Sequence, residues 1–422
     1  MNPINKNLTR NIRHERLVHT VAPFSAALLL LLLTSSLCSA ASPGACFSTL
    51  AGNDAAALAG PTGHILYAIN EKKPRIPAST LKILTALTVL RSFEPSHRFP
   101  TMLFIGKDRC LYVKGFGDPL LTSEALLEMA EAVSVKTRSV EQIVVDHSYF
   151  SEVTIPGVNY SSKPYDAPLG ALSANFNTVK IAPGPGGKLV SAEDQTPLIQ
   201  YAKARLERLG ANHSGRYTFI HDAAEAANYT GELLSHFLKL NGVAIAGGVK
   251  SGNVPPDAEL LMTFLSPWTI EEAVERMLEF SNNFVANQLF LAAGARQFGA
   301  PGSLEKSLQA AKKLAVEVFG LTSLEIVEGS GISRENRISA SDMLLLLRHF
   351  SPYRYMLKQE FGITYKTGTL RGIRTRAGYL EPEPGKPHPF VLFINENIEN
   401  TDKIIKCLGR NTAALIKSET TH

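Results

Sequence analysis

An α+β fold, an antiparallel sheet flanked by helices, is what this 422-residue sequence predicts. Three observations carry the expectation. A nearly all-apolar helical run follows residue 79, a helix-rich stretch begins at 266, and strand-like runs stand near the end at 374–380 and 390–395. The sheet is expected to be assembled from residues before about 92 and after about 265, with 93–264 a separate mixed unit.

Each element has a local reason. Gly63 to Asn70 reads as a strand that ends in a turn, and Pro74 and Pro77 stiffen the approach to Ser79. Residues 80–90 are apolar apart from threonines and Lys82, so the helix they predict is buried on nearly every side. Within 93–264, short β-type runs at 101–105, 111–114, 142–145 and 179–182 alternate with turn clusters, and helical stretches fall at 124–133 and 197–209. Gly187-Lys188 is followed by Leu189 and lacks the first glycine of a phosphate loop, so it is a hairpin or loop. Thr269 and Glu272 make a capping box for a helix through Phe280. Ser281-Asn282-Asn283 then breaks the pattern, and an apolar helix resumes to about Ala295. Further helices are expected at 303–319, 339–350 and 402–417.

The formal charge is +5, but Lys6, Arg10, Arg13 and Arg16 against Glu15 place +3 of it before residue 40. The remainder is close to neutral, which gives no reason to expect a nucleic-acid partner. A basic segment, an apolar run from Phe24 to Leu33 and small residues up to Ala40 have the plan of a cleaved secretory signal. A retained anchor with peripheral membrane association is the alternative. Cys38 is not a lipidation site, because Leu37 stands where a small residue should precede it. Export leaves Cys46, Cys110 and Cys407, which permit at most one disulfide and match no zinc or redox spacing. The histidines lack metal spacing too, so neither metal nor cofactor is expected.

Chemistry concentrates in three short motifs. Ser79-Thr80-Leu81-Lys82 puts a hydroxyl and an amine three residues apart at a helix start. A desolvated lysine has a lowered pKa and can take the serine proton, and helix-terminal N–H groups suit an oxyanion. Alone, the motif reads equally as a helix cap and a snorkelling lysine. Ser281-Asn282-Asn283 offers a second hydroxyl and a side-chain amide, or merely a helix boundary. Lys366-Thr367-Gly368 follows a strand-like stretch, where a cation beside a backbone edge suits a substrate carboxylate.

Taken together and in this order, the motifs resemble the Ser-x-x-Lys, Ser-Asp-Asn and Lys-Thr-Gly signature of penicillin-binding proteins and class A β-lactamases, with Asn282 in place of the aspartate. No serine has the flanking glycines of a nucleophile elbow. The chain is more closely similar to the low-molecular-mass class C penicillin-binding proteins, the D-alanyl-D-alanine carboxypeptidases and endopeptidases. Gly117-Asp118-Pro119, Asp146-His147-Ser148-Tyr149-Phe150, Tyr165-Asp166-Ala167, Asn175-Phe176-Asn177, Gly329-Ser330-Gly331-Ile332-Ser333-Arg334 and Thr369-Leu370 extend the likeness across most of the mature chain.

The resemblance implies a β-lactamase/transpeptidase-like domain formed by 41–92 and 265–422, with 93–264 as an inserted accessory region after a 1–40 signal peptide. The 202 positions between Ser79 and Ser281 agree with such an insertion. It also implies a periplasmic or extracytoplasmic hydrolase that acts on peptidoglycan peptides and is inhibited by β-lactams. Ser79 would be the nucleophile, Lys82 the base and Ser281 a proton relay. Asn283, Lys366, Thr367, Gly368 and Thr369 would bind substrate, with the Ser79 and Thr369 backbone N–H groups as the oxyanion hole. Asp146 matches a position near the substrate's side-chain amine, against a plain turn role. A β-lactamase and a catalytically inactive relative that only binds cell-wall peptide are the competing functions.

Overall fold

The computed structural model describes residues 43–412 apart from 51, 160 and 397. The predicted signal segment lies outside the described residues. Among those described, no helix is long and apolar enough to cross a membrane.

A six-stranded antiparallel sheet organises the site. Its order is Lys358–Glu360, Ile363–Leu370, Ile373–Leu380, His388–Ile394, Ala55–Ala59 and Ile65–Ile69, so among the described residues the first strand pairs with the last. Every residue of His388–Ile394 is buried, because both faces of the sheet are covered. The alternation of a strand then divides its side chains between two cores. Phe390, Leu392 and Ile394 face Phe47, Ile404, Ile405 and Leu408. Val391 and Phe393 face the helical layer, which includes Leu84, Leu87, Phe290 and Leu347. On the first side, the Cys46–Cys407 disulfide ties the turn Pro43–Phe47 to the helix Thr401–Arg410, while Cys110 stays a buried free thiol.

Residues 98–269 carry a five-stranded mixed sheet in the order Val249–Ser251, Ile143–Asp146, Leu111–Gly115, Arg98–Ile105, Glu259–Thr269. The helices Ser123–Lys136 and Ala223–Leu240 pack on it through Leu126, Met129, Leu233 and Leu234.

Several elements differ from the sequence expectation. Ser79 lies in a 3₁₀ turn, Ala78–Leu81, and the α-helix proper is Lys82–Ser92. Residues 266–269 still belong to a strand, and the helix starts only after the Thr269 cap, whose capping box is complete. The 303–319 helix ends at Lys313 and continues as a π turn. The last helix stops at Arg410 within the described residues. The helix Ala223–Leu240 was not anticipated, although Asp222 caps Glu225 N and Ala226, Thr230, Leu233, Leu234 and Phe237 recur at helical spacing on its buried face.

Candidate active site

Pro77 ends the extended approach, and Ala78 adopts a left-handed backbone with φ 47° before the 3₁₀ turn. The consequence is selective exposure. From Pro77 to Leu90, Ser79 is the one residue that is not buried. Its carrier is held from two sides, because the Thr80 and Thr375 hydroxyls both donate to the Pro77 carbonyl at 2.7 Å.

Lys82 is fully buried at the first position of the helix. Its Nζ stands 3.1 Å from Ser79 Oγ and donates to Asn283 Oδ1 and to the Ser330 carbonyl, each at 2.7 Å. Burial pushes its pKa well below the ordinary lysine value, the Lys366 charge pushes it further, and Glu328 opposes both. The ammonium form therefore has neutral acceptors but no direct ion pair among the described residues.

Ser281 and Asn283 come from a tight break between the helices Ile270–Glu279 and Asn283–Phe298, where Ser281 takes φ 53°. Asn282 caps the second helix by accepting from Val285 N at 3.1 Å. Aspartate is an equally good cap, so asparagine here keeps the local structure.

The strand Ile363–Leu370 supplies the third motif. Lys366 Nζ donates to Ser281 Oγ at 2.8 Å and to the Thr367 carbonyl at 3.0 Å. Burial, and then the Arg376 guanidinium, lowers its pKa to about 7. The strand Lys358–Glu360 pairs only as far as Tyr365, so that edge is left without a neighbouring strand beyond it. At Gly368, the absent side chain allows close approach to the nucleophile, since a Cβ there would lie 2.9 Å from Ser79 N and 2.1 Å from Thr375 Oγ1. Thr367 is half-buried and Thr369 exposed on the same strand.

Sequence reasoning missed the floor of the site. The stretch 329–334 enters the sequence analysis only as part of the family likeness, with no chemistry assigned to it. The Ser330 carbonyl holds Lys82, while the Ser330 hydroxyl turns away onto Glu328 at 2.6 Å. Gly331 has φ 80°, and a Cβ there would lie 1.9 Å from the Ala78 carbonyl oxygen. Glu328 itself was overlooked, although a carboxylate directly before Gly-Ser-Gly was a visible signal. Asp146 is not brought to this cluster by any hydrogen bond. Among the described residues, its carboxylate accepts from Ser148 N and Oγ, Val254 N and Lys114 Nζ.

A partly exposed serine beside a buried lysine, with a second serine held by a second lysine, has the groups that acyl transfer of the Ser-x-x-Lys kind requires. Residues 49–359 match the D-Ala-D-Ala carboxypeptidase 3 (S13) family, and the chain belongs to that family of serine peptidases. It is 28% identical over 338 residues to a D-alanyl-D-alanine carboxypeptidase of Actinomadura sp. strain R39, an alignment that covers 68% of this chain but only 62% of that relative. The match to D-alanyl-D-alanine carboxypeptidase DacB of Haemophilus influenzae is 24% identical and covers 76% of this chain and 80% of the relative. The crystal structure of penicillin binding protein 4 (dacB) from Haemophilus influenzae shares the fold, with a TM-score of 0.70 at 19% identity over 89% of this chain and 99% of that one. The same protein complexed with a novel β-lactam superposes with a TM-score of 0.63.

Proposed function

We propose that this chain hydrolyses the D-Ala-D-Ala ends or cross-bridges of peptidoglycan peptides through an acyl-enzyme on Ser79. One observation carries the reading: the Lys82 amine is buried, neutral-prone and 3.1 Å from the one residue between Pro77 and Leu90 that is not buried. Ser79 Oγ attacks the carbonyl of the penultimate D-alanine as Lys82 Nζ takes the hydroxyl proton. The tetrahedral oxyanion faces the backbone N–H groups of Ser79 and Thr369. Collapse breaks the C–N bond, and the proton that Lys82 accepted passes to the leaving amine by way of Ser281, which Lys366 holds, so that Lys82 is neutral again. Water, deprotonated by Lys82, then opens the ester and frees Ser79.

Binding roles follow from the open strand edge. Substrate backbone pairs alongside Thr367, Gly368 and Thr369, and the terminal carboxylate lies against Lys366 and Thr367. Asn283 Oδ1 is engaged by Lys82, which leaves its Nδ2 donor for the substrate amide. A β-lactam enters the same path, and the ring-opened acyl group stays on Ser79. Asp146 has its acceptor capacity filled by a turn and a lysine, so the structural role is the one its partners support.

The leader pattern and the family's substrate support export to an extracytoplasmic, periplasmic location. The separate core running from Leu103 to Val243 supports an accessory insertion at 93–264 between 41–92 and 265–422. The test is intact mass over time after adding benzylpenicillin, with Ser79→Ala alongside. A persistent adduct only on the unsubstituted chain is expected. Rapid loss of the adduct with penicillin consumed would mean a β-lactamase, and no adduct would mean a binding protein. Amidating the terminal carboxylate of a D-Ala-D-Ala peptide should sharply weaken turnover, and equal turnover would remove the carboxylate role of Lys366.

A further inference from the structure

The reaction as written makes no use of one fully buried charge, the Glu328 carboxylate. It forms no ion pair among the described residues, yet it accepts six hydrogen bonds. Oε1 accepts from Gly331 N and Asn336 Nδ2 at 2.7 Å and from Ser333 N at 3.3 Å. Oε2 accepts from Ser330 N and Oγ at 2.6 Å and from Asn287 Nδ2 at 3.1 Å. Only an ionised carboxylate offers this much acceptor capacity with no donor of its own.

The arrangement has a direction. With the Ser330 N–H and hydroxyl both drawn to Glu328, the Ser330 carbonyl points the other way, to Lys82 Nζ at 2.7 Å. Asn287 lies one helical turn after Asn283, bridges Glu328 to Gly329 N, and so ties the loop to the helix that supplies the second acceptor of Lys82.

We propose that Glu328 is a positioning residue for Lys82: it aims the Ser330 carbonyl at the base and supplies the negative charge that the buried lysine pair lacks. The proposal rests on the assignment of Lys82 as the base. The charged groups acting on Lys82 are Lys366 from the neighbouring strand and Glu328 from the loop, and the adjacent helix contributes the neutral amide of Asn283. Glu328 favours the ammonium against burial and Lys366, so its removal makes Lys82 lose its proton at lower pH.

The experiment measures Ser79 acylation by benzylpenicillin against pH in the full chain and in Glu328→Gln and Glu328→Asp, with thermal melts to confirm folding. Glutamine turns one oxygen's three contacts into donor–donor clashes, and the acylation rate should fall roughly 30-fold or more. The acidic limb of the pH profile should move to lower pH in Glu328→Gln and stay in place in Glu328→Asp, which keeps the charge. An unmoved limb in folded Glu328→Gln would overturn the proposal. Should that variant not fold, Glu328→Asp decides: a slowed rate supports the positioning role, and an unchanged rate overturns it. Failure of the underlying assignment reads differently, as an unsubstituted chain that forms no Ser79-dependent adduct or a Lys82→Ala variant that acylates normally.

Discussion

Lys366 Nζ donates to Ser281 Oγ at 2.8 Å although 85 positions separate the two residues. The bond joins a strand of the sheet to the break between two helices, so the second hydroxyl of the site is oriented by a group that also faces the substrate edge. Lys366→Ala should therefore slow hydrolysis of a carboxylate-bearing peptide by roughly 100-fold. The loss should be smaller for the amidated peptide, which has no carboxylate to hold. Steady-state kinetics on both substrates checks it, and equal losses would confine Lys366 to orienting Ser281.

Lys366 also predicts a pH dependence of stability. Its folded pKa of about 7 lies below the ordinary 10.5, because burial and then Arg376 disfavour the charged form. Between those values the unfolded chain binds more protons, so folding becomes more favourable as pH rises through that window. Below about 7 both states hold the proton, and the penalty is constant. The Tm difference between Lys366→Met and the unsubstituted chain should move in favour of the latter as pH is raised from about 7 to about 10. A flat difference would contradict the assignment.

Lys82→Ala removes the amine that donates to Ser79 Oγ and should slow acylation by about 10²–10⁴-fold, read from adduct mass over time. Lys82→Arg should not restore it, because a guanidinium holds its proton.

Gly331→Ala tests the packing under the nucleophile. The added methyl would lie 1.9 Å from the Ala78 carbonyl in a backbone with φ 80°. Stability should fall by at least about 1–3 kcal/mol, and acylation should fall with it because the displaced atom adjoins Ser79. Denaturant melts paired with the penicillin adduct assay read both.

Cys46→Ser should lower stability by about 2–5 kcal/mol while leaving the acylation rate at room temperature unchanged. The disulfide lies on the face of the sheet opposite the core that holds the Lys82 helix. A parallel loss of acylation would place the disulfide in the support of the site itself.

The motifs were readable because their chemistry depends on residue identity at short spacing. Lys82 stood out as a charge inside an apolar run, and the Thr269 capping box is a local pattern that the fold keeps. The contacts that complete the site are a different matter. Ser330 acts through its carbonyl, a group every residue has, and which way it points is set by the pull of Glu328 on the Ser330 N–H and hydroxyl. Pairing of Cys46 with Cys407 likewise depends on the first strand meeting the last, which no local pattern encodes. The helix Ala223–Leu240 was hidden for a simpler reason. The first half of its buried face is mostly small, with Ala223, Ala226, Ala227, Thr230 and Gly231 beside Tyr229, and marks an apolar stripe weakly.

Because Ala55–Ala59 hydrogen-bonds to His388–Ile394, the sheet cannot close until residue 394 has left the ribosome. The turn bearing Ser79 is made first and then waits for the strand bearing Lys366, which follows far later in the sequence. A prematurely terminated product would thus carry the nucleophile but no catalytic centre.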